Sequence, residues 1–230
     1  MTTPGEDGNT GRDNELWQQC WRDRDTAFHQ TSVNHQLIRF WPGLGLAPDD
    51  RIFVPLCGKS LDLLWLAGQG HPVIGVELSP LAVRAFFKES RIQPSRRKQG
   101  RFTLWQGGNI EILCGDFFDL CAADLGPIAA VFDRAALTAL PEDLRVAYLA
   151  QLRRITPANC RTLLLTTEEP EAGETRDQPF AIADEISSLY AQAFDIELSH
   201  VDSVYETDPD PAISAPLRVE QKVYWLTPKT

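Results

Sequence analysis

The sequence predicts a doubly wound α/β fold, one mostly parallel seven-stranded sheet with helices on both faces. Three observations predict it. Short apolar runs of strand length recur along the chain. Segments of helical period separate them. The first run leads into a tight glycine turn, Leu56-Cys57-Gly58, and the second ends on an acid, Glu77.

The elements follow in order. Residues 1–14 are rich in Gly, Thr and Asp without apolar periodicity, which predicts a disordered tail. Between 15 and 40, apolar residues recur at Leu16, Trp17, Cys20 and Trp21, then at Val33, Leu37 and Phe40. That spacing predicts two short amphipathic helices joined near Phe28, and Trp41-Pro42-Gly43 ends them. The first strand is 51–56, a helix runs over 61–67, and the second strand is 73–78. Ser79-Pro80 is an N-cap and first-turn pair that opens a helix to about 89. The basic stretch 94–108 reads as an exposed loop with a short strand at 102–105. Strands follow at 110–114, 128–132 and 161–167, with a helix over 142–155 between the last two. A last helix over 181–194 and alternating segments at 196–201 and 219–226 close the sheet, with antiparallel pairing at that edge.

In such folds a ligand binds beyond the carboxyl ends of the strands. A carboxylate ending the second strand accepts from both ribose hydroxyls of an adenosine, so the chain is read as holding an adenosine cofactor. Dinucleotide binding asks for G-x-G-x-x-G, but the turn Leu56-Cys57-Gly58-Lys59-Ser60-Leu61 has one glycine. A nucleoside triphosphate loop ends like Gly58-Lys59-Ser60, but Phe53 stands where its first glycine belongs. S-adenosylmethionine carries no phosphate, needs only one glycine here, and still uses the acid. It leaves the fewest parts missing.

Several motifs occur together and in order: Val54-Pro-Leu-Cys-Gly-Lys-Ser60, Asp62-Leu-Leu-Trp-Leu-Ala67, Gly70-His71, Gly75-Val-Glu-Leu-Ser79, Cys114-Gly-Asp-Phe-Phe-Asp119 and Asp133-Arg-Ala-Ala-Leu137. With Trp17, Trp21 and Phe28-His29 ahead of them, the chain resembles the thiopurine S-methyltransferase family. The resemblance implies the Rossmann-like fold of class I S-adenosylmethionine-dependent methyltransferases. It implies one domain over 15–230, in which 15–45 form an N-terminal helical lid. Glu77 would bind the ribose, and Leu56 would offer its carbonyl to the methionine amino group beside Gly58. Asp116 would accept from the adenine amine, and Phe117 would either donate its backbone N–H there or pack in the core. Trp21 would touch the cofactor, an aromatic face suiting a sulfonium. Phe28 would lie on the lid over the reaction centre. Arg134 would face cofactor and acceptor, orienting groups and stabilising an anionic sulfur, unless it is merely a surface ion pair. Asp133 is the candidate for its structural partner. No general base is assigned, because a thiolate needs none. His29 and His35 share no helical face and lack a third ligand, so no metal site is read.

The chain departs from the family after the fifth strand. An acid-tyrosine pair and a Gly-Pro-Pro-Phe run are replaced by Thr167-Glu168-Glu169-Pro170, an acidic insert and Asp177-Gln178-Pro179-Phe180. That region borders the acceptor pocket. The acceptor therefore stays open among small thiols and selenium or tellurium metabolites, with halide or thiocyanate as a variant. A non-catalytic S-adenosylmethionine-binding protein is the alternative of another class.

Composition bounds the rest. A chain of 230 residues with 43% hydrophobic content has ample length for one core. A net charge of −10 argues against a nucleic-acid partner. No apolar run approaches the roughly 20 residues of a membrane span, and no secretory signal is visible. Five scattered cysteines form no C-x-x-C pair. The expectation is a cytoplasmic monomer acting on a small molecule.

Overall fold

The computed structural model describes residues 8–26, 29–168, 182–206 and 217–229. Helix α1 (Gly8–Asp23) and helix α2 (His35–Phe40) lead in, and a 3₁₀ turn over Trp41–Leu44 follows. Asn34 caps α2, its side-chain oxygen accepting from the Gln36 and Leu37 N–H groups. The expected tail is thus helical from Gly8. The part of α1 that carries Trp17 and Trp21 was expected to be helical; its polar first turns were not, and there Asn14 donates to Asp116.

The Rossmann-like layout follows with β1 (Ile52–Val54), α3 (Asp62–Gly68), β2 (Val73–Glu77) and α4 (Pro80–Glu89). The Ser79 hydroxyl accepts from Ala82 N–H and Pro80 opens the first turn of α4, as the sequence predicts. Then come β3 (Ser95–Gln99), β4 (Phe102–Gly107) and β5 (Ile110–Cys114). A 3₁₀ turn at Phe117–Asp119 and the short helix α5 (Ala122–Leu125) precede β6 (Ala130–Arg134). Helices α6 (Ala136–Ala139) and α7 (Glu142–Ile155), strand β7 (Arg161–Glu168), helix α8 (Asp184–Tyr190), β8 (Phe194–Glu206) and β9 (Leu217–Pro228) complete the chain.

The sheet order among the described residues is β3-β4-β5-β2-β1-β6-β7-β9-β8. Its centre, β5-β2-β1-β6-β7, is parallel throughout. Both flanks are antiparallel. The parallel core bears out the predicted fold class, but the sheet has nine strands rather than seven. The pair beyond the seven is the hairpin β3–β4; the short strand expected at 102–105 is present as β4, and β3 forms where only loop was expected. Strand β3 is an exposed run of Ser, Arg and Lys, which shows no apolar alternation. Charges of this kind are how an edge strand is kept from pairing with other chains. The hairpin turn uses Gly100 at φ +55°, and Arg96 lies over the Trp105 ring at 4.8 Å.

Two apolar layers cover the sheet. One gathers Phe53, Val76, Leu113, Val131, Leu164 and Tyr224 under α6, α7 and α8. The other gathers Ile52, Val54, Ile112, Phe132 and Val223 with Leu37, Leu63 and Phe86. Residues such as Ile52 and Phe53 alternate between layers, as strand geometry requires. No helix among the described residues is long and apolar enough to cross a membrane.

Candidate active site

The sheet order reverses at β1, which lies between β2 and β6. A crevice is expected there, beyond the strand ends. A cleft does open at that point, with about 1060 Å³ of empty space counted out to its open mouth.

The turn after β1 makes one wall. Leu56 and Gly58 both have positive φ, 45° and 55°. For a leucine this is a sparsely populated conformation, held here because Cys57 N–H donates to the Val76 carbonyl at 2.9 Å. Cys57 packs on Gly75 so closely that a Cβ there would stand 2.6 Å from its sulfur. Burial pushes the Cys57 thiol up, and nearby Glu77 pushes it further, so it is a packing residue and not a nucleophile.

Glu77 ends β2 and is 7% exposed. Its Oε2 accepts from Gly58 N–H at 2.9 Å and its Oε1 from Ser79 N–H at 2.7 Å. Those two bonds fix the carboxylate plane and leave a lone pair on each oxygen. Burial raises its pKa to about 7, against the pull of the Ser79, Gly58 and Leu78 N–H groups.

Arg134 ends β6 in the opposite wall. Its Nε donates to Asp62 Oδ2 at 2.7 Å, and one terminal nitrogen donates to Ser60 Oγ at 3.1 Å. Asp62 is 1% exposed and also accepts from Asn34 N–H at 2.8 Å. Arg134 is therefore clamped into the cleft, and its ion pair is buried rather than superficial. The expectation that Asp133 partners Arg134 is corrected. Neighbouring strand residues face opposite sides of a sheet. Asp133 points into the layer beneath α7, where its carboxylate accepts from Tyr148 OH at 2.6 Å. Burial raises its pKa to about 6, against the pull of that hydroxyl.

The turn after β5 carries Asp116 and Phe117. The Phe117 ring is core, with its centroid 4.9 Å from that of Tyr148, so only its backbone is left for a ligand. Asp116 Oδ1 caps the next turn through Phe118 N–H at 2.9 Å, and Oδ2 accepts from Asn14 Nδ2 at 2.5 Å. That second bond comes from α1, which lies over the cleft with Asp13, Trp17 and Trp21 on its lining. The Trp21 ring closes on Gly58, 3.6 Å from where a Cβ would be.

Every expected site residue among the described ones lines this cleft: Trp21, Leu56, Gly58, Glu77, Asp116, Phe117 and Arg134. Phe28 lies outside the described residues. Sequence reading gave no site role to Asp13, Asn14, Ser60 or Asp62, and weighed His29 only as a metal ligand. An acid at the first position of a helix right after the turn was a visible sign of Asp62. Asp13 and Asn14 carried none. Lys59, in the apparent phosphate-loop ending, donates to Glu89 at 2.9 and 3.0 Å.

The thiopurine S-methyltransferase family model matches residues 12–229. The chain belongs to this family. A thiopurine S-methyltransferase of Stutzerimonas stutzeri (strain A1501) is 59% identical over 220 residues, spanning 96% of this chain and 93% of that protein. One of Pseudomonas putida (strain KT2440) is 42% identical over 212 residues, spanning 92% and 98%. Family membership makes the protein an S-adenosylmethionine-dependent methyltransferase. Solved structures agree in fold. Burkholderia thailandensis 1,6-didemethyltoxoflavin-N1-methyltransferase, solved with S-adenosylhomocysteine, has a TM-score of 0.60 at 16% identity over 99% of this chain and 93% of its own. Magnesium protoporphyrin IX methyltransferase of Synechocystis, solved with S-adenosylmethionine, has a TM-score of 0.55 at 16% identity over 96% and 99%.

Proposed function

We propose that the protein transfers the methyl group of S-adenosylmethionine to the sulfur of a small thiol or thione, or to the corresponding selenium or tellurium atom. The observation that carries this reading is the pairing of Glu77, held by two backbone N–H groups, with Arg134, clamped by Asp62 and Ser60 across one cleft.

The roles follow from that geometry. S-adenosylmethionine, when bound, supplies an electrophilic methyl carbon on a sulfonium. Glu77 accepts from the two ribose hydroxyls through its remaining lone pairs. The Leu56 carbonyl, aimed by the strained turn, accepts from the amino group. Phe117 offers its N–H to the adenine edge, while Asp116 holds α1 down and accepts from the adenine amine as that bond shifts. Trp21 gives a ring face to the sulfonium side. Arg134 directs a positive edge to the acceptor and stabilises a sulfur anion. Phe28 and the segment around α1 and α2 act as a lid that excludes water. Five unpaired thiols suit a reducing cytoplasm.

The test is calorimetric titration with S-adenosylhomocysteine. Labelled S-adenosylmethionine is then offered with aromatic thiols, thiopurines, selenite, iodide and thiocyanate. Binding with label on sulfur or selenium is expected. Label on the halide or thiocyanate alone would move the reading to that variant. Binding without transfer would favour a non-catalytic cofactor-binding protein.

A further inference from the structure

Resting on that reading of a sulfur acceptor, we propose that the His29 imidazole is the general base that deprotonates acceptors arriving as neutral thiols. His29 lines the cleft together with Arg134, Ser60 and Lys59. Its backbone is tied down, the N–H donating to the Thr26 carbonyl at 2.9 Å. Its ring makes no hydrogen bond among the described residues, whereas the cleft's other strong polar groups are engaged: Glu77 by two N–H groups, Arg134 by Asp62 and Ser60, Lys59 by Glu89. It is the cleft group left with a basic nitrogen to offer.

Its surroundings keep that nitrogen basic rather than charged. Burial lowers the His29 pKa, as do Lys59 in the turn after β1 and Arg134 at the end of β6. Glu89 of α4 and Asp62 of α3 pull the other way. The balance is downward, so the ring is neutral at pH 7. Such a base is useful because a thiol of ordinary pKa, about 8.5, is only a few per cent thiolate at that pH.

The step balances. The S–H proton passes to the imidazole nitrogen as the sulfur pair forms the new S–CH₃ bond. The old methyl–sulfonium bond breaks, and its electron pair leaves with S-adenosylhomocysteine. The imidazolium then gives its proton to water, and Arg134 faces the sulfur while it carries negative charge.

Two acceptors test this: an alkanethiol, neutral at pH 7, and a nitrothiophenol, already ionised. In His29→Gln, kcat/KM for the alkanethiol is expected to fall about 100-fold more than for the nitrothiophenol. In the wild type, kcat/KM for the alkanethiol levels off once His29 is neutral. In the variant it keeps rising with pH until the thiol itself ionises. Added imidazole should restore part of the alkanethiol rate in His29→Ala. Unchanged affinity for S-adenosylhomocysteine in both variants checks that the cleft stays folded. Equal losses for the two acceptors, with an unshifted pH profile and no rescue, would overturn the base assignment and leave the sulfur-methylation reading standing. A wild type that methylates neither acceptor would overturn both.

Discussion

Glu77 concentrates the chemistry of this site into one side chain. Its carboxyl sits at about 7 because burial disfavours its charge more than three backbone N–H groups favour it. Two ribose hydroxyls would add donors to the charged form only, and so lower its pKa. Binding is therefore expected to release a proton near neutrality, and affinity should rise with pH up to about 7 and then level. Titrating S-adenosylhomocysteine near pH 6.5 in buffers of different ionisation enthalpy measures that release directly. Glu77→Ala should weaken binding by about 1.5–3 kcal/mol, as both charge-assisted bonds are lost. An unchanged affinity with no proton released would take Glu77 out of the site. The acid was readable in the sequence because its position at a strand end is local information. Its raised pKa was not, because that comes from the burial of the carboxylate once the chain has folded over it, against the pull of the Gly58 and Ser79 N–H groups.

At the scale of elements, the turn after β1 and strand β2 are one mechanical unit. Leu56 is held at φ 45°, Cys57 is bonded to β2, and Gly75 of β2 leaves just enough room for the Cys57 sulfur. Gly75→Ala drives a methyl into that sulfur and toward Leu63, at 2.6 and 3.4 Å. Overpacking of this kind costs about 1–3 kcal/mol, and the displaced turn should also weaken cofactor binding. Adding Cys57→Ala removes the clashing atom, so the double variant should recover most of both losses in thermal melts and calorimetry. Purely additive losses would disconnect the turn from β2. The sequence showed the turn and the glycine separately. It did not show that they touch, because Gly75 and Cys57 meet only when β1 and β2 pair.

For the whole molecule, two buried carboxyls are pushed up furthest among the described acids, with Asp13 and Asp119 shifted the same way and His29 the other. Glu77 titrates at about 7 and Asp133 at about 6, above ordinary values of 4.5 and 3.8. Between those limits the folded chain holds more protons than the unfolded one. Stability from these groups is full below pH about 4 and is lost as pH rises through 6 and 7. Asp202, with its pKa lowered mainly by His200, works in the opposite sense but is far more exposed. The melting temperature of the ligand-free protein should therefore fall from about pH 5 to about pH 8. Replacing Glu77 by Gln and Asp133 by Asn together should flatten that slope. A slope the same in the variant would assign the effect elsewhere.

The sequence by itself determined the parallel core, the crevice at the end of β1, the adenosine cofactor and many of the residues that line the cleft. Each is written in short-range pattern: apolar runs of strand length, a glycine turn, an acid or arginine just past a strand. Only the tertiary structure decided what stands across from what. Asp133 and Arg134 are neighbours in the chain, yet the strand sends them to opposite faces, and Asp62 takes the arginine. Asn14 belongs to a stretch with no helical signal, yet its bond to Asp116 brings α1 over the cleft. Strand β3 is polar throughout, with Arg96, Arg97 and Lys98 at its centre, and becomes a strand by pairing with β4. Local pattern reports which face a residue is likeliest to bury, whereas its partner depends on contacts between distant segments that exist only once the chain has folded.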